Sequence, residues 1–331
     1  MDNTGSFAKR IIEWQKHFGR HDLPWQSTYD PYCRWLAEIM LQQTQVKTVI
    51  PYYLNFLEKY PTVKDLAAAP QEEVMQLWAG LGYYTRARNL HRCAQKIVEN
   101  FEGKFPEEIS VLESLPGVGR STAAAVRSAV TDEPCAILDG NVKRVLSRFF
   151  LIGQTNQKPA EIDALLWDKA NELLPNQQGR SYSQAMMDLG ATLCTRHKPT
   201  CSICPVKRDC GAFRENLQEA FPVKKQRKEV PEEHLNVGVF LEKGCVFLVK
   251  KEKRYWKGLW TLPEINEEDE LDGEELPLVV HRLSHLLLKI YPRRMVRLPS
   301  SVPVNWRAFS RAEIEKGALP TPLKKLLLEV L

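Results

Sequence analysis

The stretch "LPGVGRSTAAAV", residues 115–126, compresses a proline and two glycines into a five-residue turn and then runs directly into a helix-forming sequence. The flanking segments "ISVLESL" and "RSTAAAVRSAV" read as two short helices, so the turn is a hairpin between them. Successive backbone N–H groups of Gly117, Val118 and Gly119 then stand at the start of the second helix, an arrangement suited to a phosphate. A plain tight corner between two helices carries the same pattern. Ser121 stands two residues beyond the last glycine, on the first turn of that second helix.

Composition bounds what surrounds the hairpin. The chain has 331 residues, 44% of them hydrophobic, with 8 Trp and 12 Phe, enough for a sizeable core and for two or three domains. A formal net charge of +5 is compatible with an anionic partner without requiring one. The opening "MDNTGSFAKR" lacks the apolar centre of a signal peptide, and no run approaches the roughly 18 apolar residues of a membrane helix. The expectation is a cytoplasmic protein with no membrane partner. In a reducing compartment its 8 cysteines should not pair as disulfides, so a cluster among them points to metal.

Helical periodicity dominates the first two thirds. Leu90, Cys93, Ala94, Ile97, Val98 and Phe101 share one helical face, as do Val142, Val145, Leu146 and Phe149, and Ile162, Leu165, Leu166 and Leu173. Asp30 and Pro31 form an N-cap and first-turn pair that opens a helix through "YCRWLAEIML", and the polar "QQTQ" at 42–45 interrupts it. Character changes after residue 215, where "FPVKKQRKEVPEE" is charged, proline-flanked and aperiodic, as a linker is. Beyond it "NVGVFLEKGCVFLVKK" predicts a β-hairpin around a Lys-Gly turn, "HLLLKIYP" a later strand and "TPLKKLLLEVL" a closing helix. The expected architecture is a mainly α body followed by a smaller α+β domain.

Cys194, Cys201, Cys204 and Cys210 follow the order C-x6-C-x2-C-x5-C within 17 residues. Zinc sites usually come as two close pairs, whereas only the middle pair is close here. Wide, unequal spacing favours a [4Fe-4S] cluster over zinc, and either over four unrelated core cysteines. Cys33, Cys93, Cys135 and Cys245 are scattered and read as small core residues. Some 20 residues past the hairpin, "ILDGNVKRVLSR" places Asp139 before a glycine and a helix that opens with Asn141; an ordinary N-cap aspartate has the same setting.

Hairpin, aspartate and four-cysteine loop occur in the order found in the helix-hairpin-helix DNA glycosylases that carry an iron-sulfur cluster. Within them, "WLAEIMLQQTQV" (35–46), "GLGYYTRARNL" (80–90), "LPGVGRSTAAAV", "ILDGNVKRVL" (137–146) and "CTRHKPTCSICPVKRDC" (194–210) resemble the adenine DNA glycosylases of the MutY type. The resemblance covers nearly the whole chain. It implies a catalytic body over 1–215, with a six-helix subdomain at about 25–130 and an iron-sulfur subdomain built from 1–24 and 131–215. A linker at 216–231 and a Nudix-like domain at 232–331 complete the expected layout.

The same resemblance implies function. Such an enzyme removes adenine mispaired with 8-oxoguanine or guanine in double-stranded DNA, as a monomer associated with the bacterial nucleoid. Glu38 matches the general acid, raised in pKa by burial, and Asp139 matches the carboxylate that stabilises the cationic sugar, with Asn141 orienting that site. Endonuclease III type relatives carry a Schiff-base lysine where Ser121 stands, so the serine implies a monofunctional glycosylase. The alternatives are a bifunctional glycosylase/lyase and a non-catalytic iron-sulfur DNA-binding protein. Gln42 and Tyr83 match residues that enter the duplex at the lesion pair. Phosphate contacts are expected from the Gly117–Gly119 amides and from Arg196, Lys198, Lys207 and Arg208.

"RYWKGLWTLPEI" (254–265) and "HRLSHLLLKI" (281–290) carry the Nudix-like resemblance. The glutamate-rich magnesium helix of Nudix hydrolases is missing after "WTLPEI", which implies a recognition module without hydrolase activity. Ser284 and His285 match the reader of 8-oxoguanine, while Leu283 departs from the phenylalanine frequent in the family.

Overall fold

The computed structural model describes residues 3–153, 157–223, 230–265 and 272–331. Helices α1 (Asn3–Phe18), α2 (Pro31–Leu41), α3 (Val46–Lys59), α4 (Val63–Ala68), α5 (Gln71–Leu77) and α6 (Thr85–Phe101) come first. They lead into α7 (Ile109–Glu113), α8 (Arg120–Thr131), α9 (Gly140–Phe150), α10 (Pro159–Glu172) and α11 (Gly179–Asp188). A π-helical turn at Leu189–Leu193 extends α11, and a 3-10 turn at Cys201–Ile203 precedes α12 (Gly211–Arg214). Strands β1 (Glu232–Glu242), β2 (Cys245–Lys250), β3 (Trp260–Thr261), β4 (Gly273–Glu275), β5 (Val279–Arg282), β6 (Leu287–Met295) and β7 (Trp306–Ser310) follow, and α13 (Arg311–Lys316) and α14 (Thr321–Val330) close the chain.

The chain forms two compact units, Met1–Ala67 with Arg92–Gln226, and Ala68–His91 with Arg227–Leu331. Of the expected linker at 216–231, residues 224–229 lie outside the described residues, as do 266–271 directly after "WTLPEI".

In the first unit, the helical periodicity of the sequence becomes a core. Phe7 and Ile11 of α1, Val142 and Leu146 of α9, and Tyr182 and Met186 of α11 are buried together. Helix α2 starts as its sequence predicts: Asp30 is its N-cap, accepting the Tyr32 N–H at 2.8 Å, and Pro31 opens the first turn. It packs against α8, the second helix of the hairpin. Asp188, with no exposed side-chain surface, receives Arg20 Nε at 2.7 Å and Gln184 Nε2 at 2.8 Å. A buried carboxylate must be paired in this way, and the pairing fixes the end of α11, from which the cysteine loop departs.

In the second unit, β1 and β2 form the expected hairpin, with Lys243 and Gly244 at φ 49° and 75° making its turn. The sheet order is β3-β2-β1-β6-β4, with β5 on β6 and β7 on β2. β1 and β6 run parallel, Glu232 to Phe240 against Leu287 to Met295, and the other ladders are antiparallel. The mixed sheet with α13 and α14 matches the expected α+β character. Segment 68–91, helical in sequence pattern, groups with this unit: the Trp260 indole N–H donates to Glu72 of α5 at 3.0 Å.

Candidate active site and cysteine loop

Glu38 lies on α2 among the buried Leu36, Ile39 and Met40. It is only partly exposed, and burial pushes its carboxyl up to about 7; the nearby Asp139 carboxylate adds to that rise, and Arg34, one turn earlier on the helix, opposes it. Arg34 itself is buried and spends a guanidinium N–H on the Trp25 carbonyl at 2.6 Å.

Asp139 is the N-cap of α9. Its Oδ1 accepts the Val142 N–H at 2.7 Å, and its Oδ2 accepts the Asn141 side-chain amide at 3.2 Å. These contacts are the plain capping role, and the cap holds the side chain in a fixed orientation. Ser121 Oγ accepts the Leu138 N–H at 3.0 Å, linking the hairpin helix to the residue just before Asp139. Gln42 follows α2 directly and donates its side-chain amide to the Gly117 carbonyl and to Thr122 Oγ1, both at 3.4 Å. Glu38, Asp139, Asn141, Ser121, Gln42 and the hairpin thus share one region of the first unit.

The hairpin differs in one respect from its sequence reading. Val118 has its side chain buried and donates its own N–H to the Leu115 carbonyl at 3.1 Å, so that amide is consumed inside the turn. The amides left for an external acceptor are those of Gly117 and Gly119, together with the first turn of α8, whose N-cap Gly119 offers no side-chain cap. Gly117 adopts φ 79°, a backbone conformation that favours glycine.

Tyr83, Ser284 and His285 belong to the second unit. Tyr83 is 49% exposed, with Tyr84 more buried beside it. Ser284 and His285 occupy the centre of a turn between β5 and β6 that is closed by Leu283 N–H on the Leu286 carbonyl at 2.9 Å. Both side chains are exposed, with Ser284 Oγ 3.4 Å from His285 Nδ1.

The four cysteines at 194, 201, 204 and 210 line one cavity. Burial pushes the Cys204 thiol up to about 12, and the other three cysteines add to the rise. The four thiols share this cavity, and four cysteine sulfurs are the donor set that holds an iron-sulfur cluster. Among the described residues no group of three or more His, Cys, Asp or Glu is set tightly enough to hold a metal ion, so what is formed is the shared cavity. Arg148 donates to Cys194 Sγ at 3.3 Å and to the Thr195 carbonyl at 2.7 Å. Of the basic residues expected at phosphates, Arg196, Lys198 and Arg208 are exposed, whereas Lys207 turns its amine to the Ser202 carbonyl.

Sequence reading missed Arg144. It donates to Asn141 Oδ1 at 2.8 Å, to the Gly190 carbonyl at 2.7 Å and to the Cys194 carbonyl at 2.7 Å, joining the Asp139 cap to the root of the cysteine loop. A helical i+3 spacing from Asn141 was visible; its partners 46 and 50 residues further on were not.

This fold and site define a class. A model of the HhH-GPD superfamily of base excision DNA repair proteins matches residues 36–172. Among solved structures, a thermostable thymine-DNA glycosylase superposes with a TM-score of 0.58 at 29% identity, over 63% of this chain and 96% of that one. Endonuclease III in a non-covalent complex with DNA shares the fold at a TM-score of 0.53 and 23% identity, over 64% and 96%. The adenine DNA glycosylase of Buchnera aphidicola subsp. Baizongia pistaciae is 36% identical over 98% of this chain and 96% of its own. The chain belongs to the adenine DNA glycosylases, enzymes of base excision repair.

The raised Glu38 carboxyl has a consequence for stability. With a folded value about 7 against an ordinary value of 4.5, the native state holds a proton between these pH values that the unfolded chain has released. Native stability therefore falls as pH rises through that window. Glu38→Gln removes this loss, so its melting temperature relative to the parent rises from pH 5 to pH 8 in thermal denaturation followed by circular dichroism. An offset that does not change with pH removes Glu38 from the titration.

Proposed function

We propose that this chain hydrolyses the N-glycosidic bond of adenine opposite 8-oxoguanine or guanine in double-stranded DNA, acting as a monofunctional, monomeric, cytoplasmic enzyme. The observation that carries this reading is the pairing of a carboxyl raised to about 7, Glu38, with the capped carboxylate Asp139 beside it. No helix among the described residues is long and apolar enough to cross a membrane.

Breaking the bond requires protonation of a poor leaving group and stabilisation of an oxocarbenium-like sugar. Glu38 holds a proton near neutral pH and delivers it to the extruded adenine, a contribution of about 100- to 10,000-fold for a positioned acid. Asp139, oriented by Val142 N–H and Asn141, faces the developing positive charge. Water completes the reaction, because Ser121 offers no amine for an imine and its hydroxyl oxygen accepts a hydrogen bond from the Leu138 N–H. Gln42 and Tyr83 enter the space at the lesion pair, and the Gly117 and Gly119 amides hold a phosphate.

Cys194, Cys201, Cys204 and Cys210 hold a [4Fe-4S] cluster in this reading. When bound, it supplies iron-thiolate bonds that tie the loop to the end of α11. The domain at 232–331 is a Nudix-like recognition module, supported by its mixed sheet and by the exposed Ser284–His285 turn. 8-Oxoguanine differs from guanine by a C8 carbonyl and a protonated N7, and a serine hydroxyl can donate to the carbonyl or accept from the N7–H.

Single-turnover assays on duplexes with A opposite 8-oxoguanine or guanine test the reaction. Glu38→Gln abolishes adenine release while duplex affinity stays within about tenfold, since binding rests mostly on phosphates. The parent rate declines as pH rises through about 7, where the acid loses its proton. Near-parental turnover by Glu38→Gln excludes Glu38 as the acid.

Anaerobically purified protein is brown and carries about four iron atoms per chain. A colourless preparation with stoichiometric zinc reverses the cluster assignment. The double variant Ser284→Ala/His285→Ala loses about 1 to 3 kcal/mol of preference for the 8-oxoguanine pair over the guanine pair, the scale of a buried hydrogen bond left unmade. Equal loss on both mispairs, or none on either, shows that the turn does not read the oxidised base.

A further inference from the structure

Tyr83 sits in a loop whose backbone is held in unusual conformations. Gly80, Gly82 and Tyr83 have φ of 102°, 69° and 48°, and for tyrosine the left-handed region carries a steric cost. Tyr83 is half exposed, so burial alone does not hold its side chain. A side chain meant to enter a base stack from such a loop needs a rigid support behind it.

Arg86 stands where that support is required. It lies in the first turn of α6, three residues after Tyr83, and only 8% of its surface is exposed. Its guanidinium is 5.5 Å from the centroid of the Tyr83 ring and 5.2 Å from that of Trp78. The same group donates from Nη2 to the Leu81 carbonyl at 3.2 Å and the Gly82 carbonyl at 3.3 Å. Trp78 reinforces this, its indole N–H donating to the same Gly82 carbonyl at 3.0 Å. The Arg86 backbone N–H closes the turn on the Tyr83 carbonyl at 2.8 Å. One planar cation thereby reads two carbonyls and two rings at once, which a lysine ammonium, a point charge on a flexible stem, cannot do.

We propose that Arg86 is a positioning residue that acts through Tyr83, fixing the "GLGYY" loop and the orientation of the tyrosine ring for entry into the duplex. The inference rests on the reading of Tyr83 as a residue that enters DNA. It assigns to Arg86 no contact with DNA and no part in bond cleavage.

A double-mutant cycle separates this role from a general structural one. The full-length protein, Tyr83→Ser, Arg86→Lys and the double variant are compared by single-turnover adenine excision at saturating enzyme on the 8-oxoguanine·A duplex, with melting temperatures by circular dichroism alongside. Arg86→Lys lowers the rate about tenfold with tyrosine at 83 and by less than about twofold with serine there, the non-additivity expected of two residues in one contact. An equal fold-loss in both backgrounds means that Arg86 supports the fold at large, and the proposal fails while Tyr83 keeps its role. A Tyr83→Ser rate equal to that of the parent removes the role of Tyr83 and the proposal with it. Arg86→Gln, which keeps an amide donor for the carbonyls but no charge for the rings, runs the same cycle should the lysine variant melt below the assay temperature.

Discussion

A carboxyl group buried among apolar side chains is costly to ionise, and the first unit meets that constraint at Glu38, where burial pushes the group up to about 7. Glu38 and Asp139 come from different helices and stand in different surroundings. Glu38 sits along the side of α2, among apolar neighbours. Asp139 sits at the N-terminus of α9, where a main-chain N–H and a side-chain amide both donate to it. The helix dipole adds a favourable field for negative charge at that end.

The place of Asp139 depends on α9 being held in register with its neighbours. Arg144 and Arg148, one helical turn apart on that helix, reach the carbonyls of Gly190, Cys194 and Thr195. Gly190 permits the approach: a Cβ there would lie 2.6 Å from that of Asn141. The π-helical turn at Leu189–Leu193 follows the buried Asp188, itself clamped by Arg20 and Gln184. The cysteine loop and the Asp139 cap are therefore rooted in the same few hydrogen bonds.

Much of this was legible in the sequence, and the remainder was hidden for a physical reason. Local signals held: Asp30–Pro31 starts α2, "QQTQ" ends it, and the Lys-Gly turn makes the β1–β2 hairpin. Each of these is decided by residues within one or two turns of one another. What composition and period could not reveal are partnerships between distant segments. The parallel pairing of β1 with β6 joins strands more than fifty residues apart, and segment 68–91 groups with the C-terminal sheet although its pattern is helical. Arg34, Arg86 and Arg144 look like ordinary solvated cations in the sequence. Their roles appear only when the carbonyls and rings they meet are known.

Ser121 shows how the two kinds of information combine. In the sequence it matters for what it lacks, an amine able to attack the sugar. In the structure its hydroxyl is an acceptor for the Leu138 N–H, the peptide group that leads into Asp139. A hydroxyl that accepts a hydrogen bond from main chain next to Asp139 helps to set the position of that side chain. In the proposed reaction the same small side chain counts twice, offering no amine to the sugar and bracing the peptide group that leads into Asp139.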